Sequence, residues 1–186
     1  MKKNNTLKLT IMAIAAVINI TGAFIAATLK LPVYLDTIGT FLSAFLFGPG
    51  GGAITGVATS LINGITFDPY SLYFMPVQLL IGYCAGMCYK KGLFNGKFIP
   101  VGTLMVTLTG SVVSALISAY VFGGITSSGT SFIVMYLKET GVSLVTSIFS
   151  TQIIFDLLDK SIAVILVLAC MRNIPQTVKV KLKDEK

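Results

Sequence analysis

Histidine and tryptophan are absent from this 186-residue chain, and charge is scarce: only 11% of residues are Asp, Glu, Lys or Arg. Each shortage excludes something. Without histidine the commonest general base and transition-metal ligand is missing. Without tryptophan, tyrosine and phenylalanine are left to anchor any membrane–water interface. A soluble domain carries roughly 25% charged residues, so an ordinary water-facing surface is excluded as well. Of the three cysteines, Cys84 and Cys88 stand one helical turn apart and Cys170 lies near the end of the last apolar stretch. Two thiols without histidine or a second pair make a poor zinc site, and all three read as small apolar residues. No Ser–His, Cys–His or metal-ligand set is present, and Asp156 with Asp159 on one helix does not suffice for hydrolysis. The expectation is a protein that is no enzyme and holds neither metal nor cofactor.

What is present is hydrophobic. The apolar share is 54% and the mean hydropathy +0.86, and five or six spans of about 20 residues would fill the chain. The reading is an all-α, polytopic membrane protein, a bundle of six transmembrane helices forming a single domain over 1–186. Charged and turn residues divide it. Span one covers about Leu9–Leu29, too long for the apolar core of a signal peptide; span two covers Thr37–Phe47 and span three Ala53–Ile65. Span four runs over Ser71–Tyr89, span five over Ile99–Phe122, and span six over Val142–Met171, after a short amphipathic helix at Phe132–Glu139. Gly48-Pro49-Gly50-Gly51-Gly52 lacks the Lys-Ser/Thr of a phosphate loop and reads as a tight turn.

The net charge of +7 sits mostly at the ends and in loops, so it speaks of topology and not of nucleic acid. With six spans, Lys2, Lys3, Lys8, Lys90, Lys91, Lys97, Arg172, Lys179, Lys181, Lys183 and Lys186 share one side, and only Lys30 and Lys138 take the other. That bias places both termini in the cytoplasm.

One stretch resists the simple picture. Gln152-Ile-Ile-Phe-Asp156-Leu-Leu-Asp159-Lys160 puts two carboxylates and an ammonium inside span six. An ionisable group at the bilayer centre costs at least about 2.5–3.5 kcal/mol, so it is normally paired or faces protein or a wet cavity. Two readings stand: self-neutralisation of Asp156 by Lys160 four residues on, with Asp159 pointing elsewhere, or a polar wall of a solute site or of a helix–helix contact. Asp156 and Asp159 also admit a stand-alone proton-coupled carrier or a small membrane enzyme, although the chain has no second inverted half of the kind many carriers use.

Leu31-Pro-Val-Tyr-Leu-Asp-Thr-Ile-Gly-Thr40, then Phe47-Gly-Pro-Gly50, a Gly/Ala-rich span, and Asp68-Pro-Tyr-Ser-Leu-Tyr-Phe-Met-Pro-Val-Gln78 follow one another in an order that resembles the substrate-binding S components of energy-coupling factor (ECF) vitamin transporters. The likeness covers almost the whole chain. It implies a multi-pass subunit of a bacterial cell membrane that binds a vitamin or vitamin precursor from outside. Its implied partners are a membrane T subunit and two ATP-binding cassette ATPases, which fits the lack of a nucleotide motif here. The leaning among substrates is to hydroxymethylpyrimidine or pyridoxine. Family sites lie in the outer half, which suggests Tyr34 and Asp36 from loop one, Tyr73 and Gln78 from span four, and Gln152 and Asp156 from span six; Asn63 and Asp68 would line the same space. Beside these stand plainer readings: Asp36 as a cap on span two, Asp68-Pro69-Tyr70 as a turn, and Tyr34 and Tyr73 as interface anchors. The likeness also implies docking of the T subunit on span one. The family's Ala-x-x-x-Ala is replaced there by Met12-x-x-x-Ala16 and Ala13-x-x-Ala16, so Met12, Ala13 and Ala16 are the candidates.

Overall fold

The computed structural model describes residues 2–173, with side chains from residue 6 onward. Every regular element among them is helical. The order is α1 (Lys2–Thr28), α2 (Ile38–Phe47), α3 (Pro49–Thr66), α4 (Tyr70–Tyr73), α5 (Met75–Lys90), α6 (Ile99–Phe122), α7 (Thr130–Glu139) and α8 (Leu144–Asn173), with a single 3-10 turn at Gly96–Phe98. Lys179, Lys181, Lys183 and Lys186, on which part of the expected charge bias rests, lie outside the described residues.

Helix ends follow local chemistry. Gly48 has φ 79° and donates its N–H to Ala44 O, ending α2, and Pro49 opens α3 at once. Proline suits a first helical turn because its missing N–H would have no partner there. The expected five-residue turn is therefore one residue long. Gly50, Gly51 and Gly52 are helical, and the last of them packs: a Cβ on Gly52 would collide with the carbonyl of Gly82, and one on Gly82 with the backbone of Gly52. Gly56 meets the Gln78 backbone in the same way. Close approach of α3 to α5 is what the glycines provide. Expected span four is also corrected. Pro76 sits in the first turn of α5, where its ring would clash with a preceding turn, so the chain breaks at Phe74 and leaves Tyr70–Tyr73 as a separate turn.

The distribution of polarity is the reverse of a soluble protein's. On α6 the buried side carries Thr103, Thr107, Ser111, Ser114 and Ser118 with Gly102 and Gly110. Its outer side shows Val101, Leu104, Met105, Leu108, Val112 and Leu116. The outer faces of α1, α3 and α8 add Ile14, Val17, Ile54, Ile65, Ile154 and Ile165, each more than half exposed. An apolar surface this continuous belongs against lipid, not water. Two described helical segments, Thr6–Thr28 and Gly96–Phe122, are long and apolar enough to cross a membrane. α2 is apolar but short, at about 15 Å by the helical rise of 1.5 Å per residue. α8 has the length, about 45 Å, but carries Asp156, Asp159 and Lys160.

Inside, small polar groups join the helices. Asn19 is fully buried; it donates to Thr40 Oγ1 (2.9 Å) and Thr59 Oγ1 (3.2 Å) and accepts from Gly39 N (2.6 Å). Gly39 N is in the first turn of α2, where N–H groups lack a helical partner. An apolar core of Phe41, Phe45, Phe94, Ile81, Val106, Val164 and Val167 fills the end near the α2–α3 turn. The connections 29–37, 67–74 and 123–129 gather at the opposite end, around a cavity.

Replacing Gly82 by valine is expected to force α3 from α5 and to lower the thermal midpoint of the purified protein sharply or abolish its accumulation. Gly50→Ala, at an exposed helical position with open space around it, is expected to keep or slightly raise the midpoint, since alanine gains roughly 0.5–1 kcal/mol over glycine in a helix. Equal loss in both variants would show that the glycine run matters for some reason other than contact.

Candidate functional site

The cavity lies at the loop end of the bundle and opens at its mouth. Helices and connections from the whole length of the chain wall it. Ala23, Ala26 and Ala27 of α1 give a small-residue side. Loop 29–37 supplies Tyr34 and Asp36, α5 supplies Phe74, Val77 and Gln78, and α6 supplies Ser114. Loop 123–129 adds Thr126, Ser127 and Ser128, and α8 adds Gln152, Asp156 and Lys160. Phe67, Asp68 and Ser71 close it from the connection after α3. Ligand pockets typically have mostly apolar walls and a few fixed polar groups, and this cavity has that make-up.

The charged cluster on α8 holds one wall in place. Lys160 Nζ lies 2.9 Å from Asp159 Oδ2 and 3.4 Å from Asp156 Oδ1, all three residues being at most 3% exposed. Sequence spacing predicts that Asp159 points away from Lys160, and this is corrected: the ammonium is shared. Asp159 does more. Its Oδ1 accepts the backbone N–H of Tyr34 (3.1 Å) and of Leu35 (2.8 Å), and Thr37 Oγ1 donates to Oδ2 at 3.5 Å. Leu35 has φ 53°, a left-handed conformation that costs a non-glycine residue about 1–2 kcal/mol. Two charge-assisted bonds to one carboxylate oxygen hold it there. The loop is also pressed from both sides: Gly22 of α1 has no room for a Cβ because of the Leu35 carbonyl, and Gly129 none because of Lys30. Gly129 N donates to Leu31 O at 3.2 Å, tying loop 123–129 to loop 29–37.

So anchored, Tyr34 and Asp36 turn inward. Tyr34 OH accepts from Gln152 Nε2 (3.3 Å), which also donates to Ser114 Oγ (2.7 Å), and Lys160 Nζ stands 5.7 Å from the Tyr34 ring. Burial pushes the Tyr34 phenol above its ordinary pKa, with the Asp156 charge adding to the effect. Asp36 Oδ2 accepts from Gln78 Nε2 at 2.6 Å. Burial raises the Asp36 carboxyl to about 6, against the pull of the Lys160 ammonium. Ser111 Oγ donates to Asp156 Oδ2 at 2.7 Å.

Of the eight residues suggested for the site, Tyr34, Asp36, Asp68, Gln78, Gln152 and Asp156 line this cavity. Two do not. Asn63 is buried in α3 away from the lining, and Tyr73 is 56% exposed and packs edge-on against Phe122, 5.1 Å between ring centres. Tyr70 and Phe74 meet the same ring, so these aromatics fasten the α4 turn to the end of α6. Asp36 is no cap of α2: Thr37 holds that position, without a side-chain bond. Asp68 keeps its turn role, accepting from Ser71 Oγ at 2.8 Å, and lines the cavity as well. Sequence reasoning points to neither Ser114 nor the α1 alanines as site residues and takes Lys160 for a structural partner; the signals were the charge of Lys160 inside span six and the small-residue run of α1. On α1, Met12 and Ala16 are buried inside the bundle, with Ala15 against Gly39 of α2. Ala13 does lie on the exposed face.

Lys160→Met is expected to leave Asp156 and Asp159 buried without a counter-charge and to destabilise the protein by about 3–5 kcal/mol. Adding Asp156→Leu to it should recover part of the loss. Thermal unfolding of the two purified variants decides: a double variant no more stable than the single would show that the ammonium does not serve these carboxylates.

The model of the family described as "ECF transporter, substrate-specific component" matches residues 7–171. Comparison with curated proteins gives no match, and comparison with solved structures gives none either. The matched span takes in all of α2–α7, the whole cavity lining and the α8 charge cluster. The chain belongs to the substrate-specific components of ECF transporters, and is a substrate-binding membrane subunit of a transporter and not an enzyme.

Proposed function

We propose that the chain captures a vitamin or vitamin precursor, a small heterocycle with exocyclic donors, in the cavity between loops 29–37 and 123–129, and passes it inward with an ATP-driven module. That module consists of a membrane T subunit and two ATP-binding cassette ATPases. The observation that carries the reading is the cavity's mixture of aromatic faces (Tyr34, Phe67, Phe74) with amide and carboxylate groups whose buried oxygens lack partners, namely Gln78 Oε1 and Asp68 Oδ1. Aromatic walls accept a flat ring, and unpartnered acceptors favour a ligand that brings donors. Hydroxymethylpyrimidine and pyridoxine are of that size and kind.

In this reading the bundle crosses the membrane six times, the short α2 shielded by its neighbours, with both ends of the chain in the cytoplasm and the cavity open outward. The exposed face of α1 around Ala13, Ile14 and Val17 is left for the T subunit. A stand-alone carrier is disfavoured because Asp156 and Asp159 are both engaged by Lys160.

Two experiments test this. Purified protein titrated with 4-amino-5-hydroxymethyl-2-methylpyrimidine and with pyridoxine should bind at least one of them without any partner. Gln78→Ala and Gln152→Ala should then each lose about 1–3 kcal/mol, ten- to a hundredfold in affinity, and Leu79→Ala, on the outer face, should lose little. Uptake into vesicles should require the ATPases; proton-dependent uptake by the lone chain would sink the proposal. For orientation, cysteines at Thr140 and Lys91, both exposed, are placed in a background lacking Cys84, Cys88 and Cys170. An impermeant maleimide on intact cells should label the first and not the second. Ser128, otherwise an obvious loop position, is too buried to serve.

A further inference from the structure

The charges that line the cavity do not cancel. Asp36, Asp68 and Asp156 face it with a single cation, Lys160. Lys160 is already committed to Asp156 and to Asp159 behind it. Asp159 is further answered by two backbone N–H groups and Asp156 by Ser111. Asp36 and Asp68 are not answered in this way. Among the described residues neither forms an ion pair; Asp36 accepts a hydrogen bond from the neutral Gln78 amide and Asp68 one from Ser71. Lys30, at the start of loop 29–37, is exposed and forms no ion pair with either.

An independent feature points the same way. A carboxylate only accepts, so the 2.6 Å contact with Asp36 fixes the Gln78 side chain with its NH2 toward Asp36. The amide oxygen is thereby left as a second acceptor, buried, without a partner, on a residue only 4% exposed that lines the cavity. Asp68 Oδ1 is a third inaccessible and unpartnered acceptor, on a residue that is itself half-buried. Bringing a neutral acceptor-rich ligand or an anion to these oxygens would leave carboxylates that have no ion pair of their own, and for Asp36 only the more distant field of an ammonium already shared by Asp156 and Asp159, which is costly. A cation with N–H donors removes the imbalance.

Resting on the proposed function, we infer that Asp36 and Gln78, with Asp68 in the same cavity, form a cation subsite, and that the natural substrate is a small heterocycle carrying a positive charge on an ammonium, amidinium or protonated aminated ring. Asp36 sets specificity by charge and Gln78 by its unpartnered amide oxygen, and Gln152 with Ser114 and Tyr34 grips the far edge of the ring.

The test uses matched pairs and the purified full-length chain at neutral pH. Pyridoxamine is compared with pyridoxine, and 4-amino-5-aminomethyl-2-methylpyrimidine with its hydroxymethyl counterpart, by calorimetric titration; 4-pyridoxate is the anionic member. The aminomethyl member of at least one pair should bind roughly ten- to a hundredfold more tightly than its hydroxymethyl partner, the range for hydrogen bonds to a charged group, and 4-pyridoxate should bind weakest. In Asp36→Asn that ratio should fall to near one. Tighter binding of the hydroxymethyl compounds or of 4-pyridoxate overturns the cation subsite and leaves the proposed function standing. A ratio unchanged by both Asp36→Asn and Asp68→Asn overturns the assignment of these residues. If no panel member binds at millimolar concentration, the proposed function falls and the subsite with it.

Discussion

One carboxylate on α8 connects the two halves of this molecule. Asp159 reaches from the middle of a thirty-residue helix to the backbone of a loop about 125 positions earlier in sequence. It fixes Tyr34 and Leu35 there in a conformation that an unassisted loop would avoid. Its own burial is made tolerable by Lys160, which Asp156 shares, and Asp156 in turn is tied to α6 through Ser111. Remove the ammonium and two acids face each other in an apolar bundle; remove Asp159 and the wall bearing Tyr34 and Asp36 loses its fastening. The same three residues thus account for how charge survives inside the bundle and for why a cavity exists at its end.

Around that cluster the packing logic is that of a protein dissolved in lipid. Helices contact one another through glycine, alanine, serine and threonine, and the large aliphatic side chains face outward. Without water to drive helices together, close backbone approach and buried hydrogen bonds must do it. The Gly52–Gly82 contact and the Asn19 node show both devices, the first between α3 and α5, the second joining α1, α2 and α3. Substrate binding needs such a frame, since a polar ligand is gripped only by side chains whose own positions are already settled.

Much of this could be read from the sequence. Composition gave the all-helical membrane class, and the order of Leu31–Thr40, Phe47–Gly50 and Asp68–Gln78 gave the family, because an ordered set of loop motifs survives without any knowledge of packing. Six of the eight suggested site residues line the cavity: Tyr34, Asp36 and Asp68 sit at the mouths of spans, and Gln78, Gln152 and Asp156 are polar groups within apolar helices. What was not legible depends on helix rotation and on partners distant in sequence. Tyr73 and Tyr34 look alike on paper, yet one is turned to Phe122 and the other to Gln152. Met12 and Ala16 have the spacing of a docking stripe, and α1 happens to present them inward. The glycine run signalled a turn because glycine usually does, whereas here Pro49 starts a helix and the glycines make room for α5. Nothing local to Asp159 announces that its partners are the amides of loop 29–37.

The most direct measurement is hydrogen exchange at the amides of Tyr34 and Leu35. In the native protein both should be protected, although they lie in a loop with no helical partner. In Asp159→Asn, where the acceptor loses its charge at almost constant shape, their protection should fall while that of amides within α1, α3 and α6 is retained. Unchanged protection at the two loop amides, or an even loss across all helices, would contradict the claim that this carboxylate holds the wall of the site.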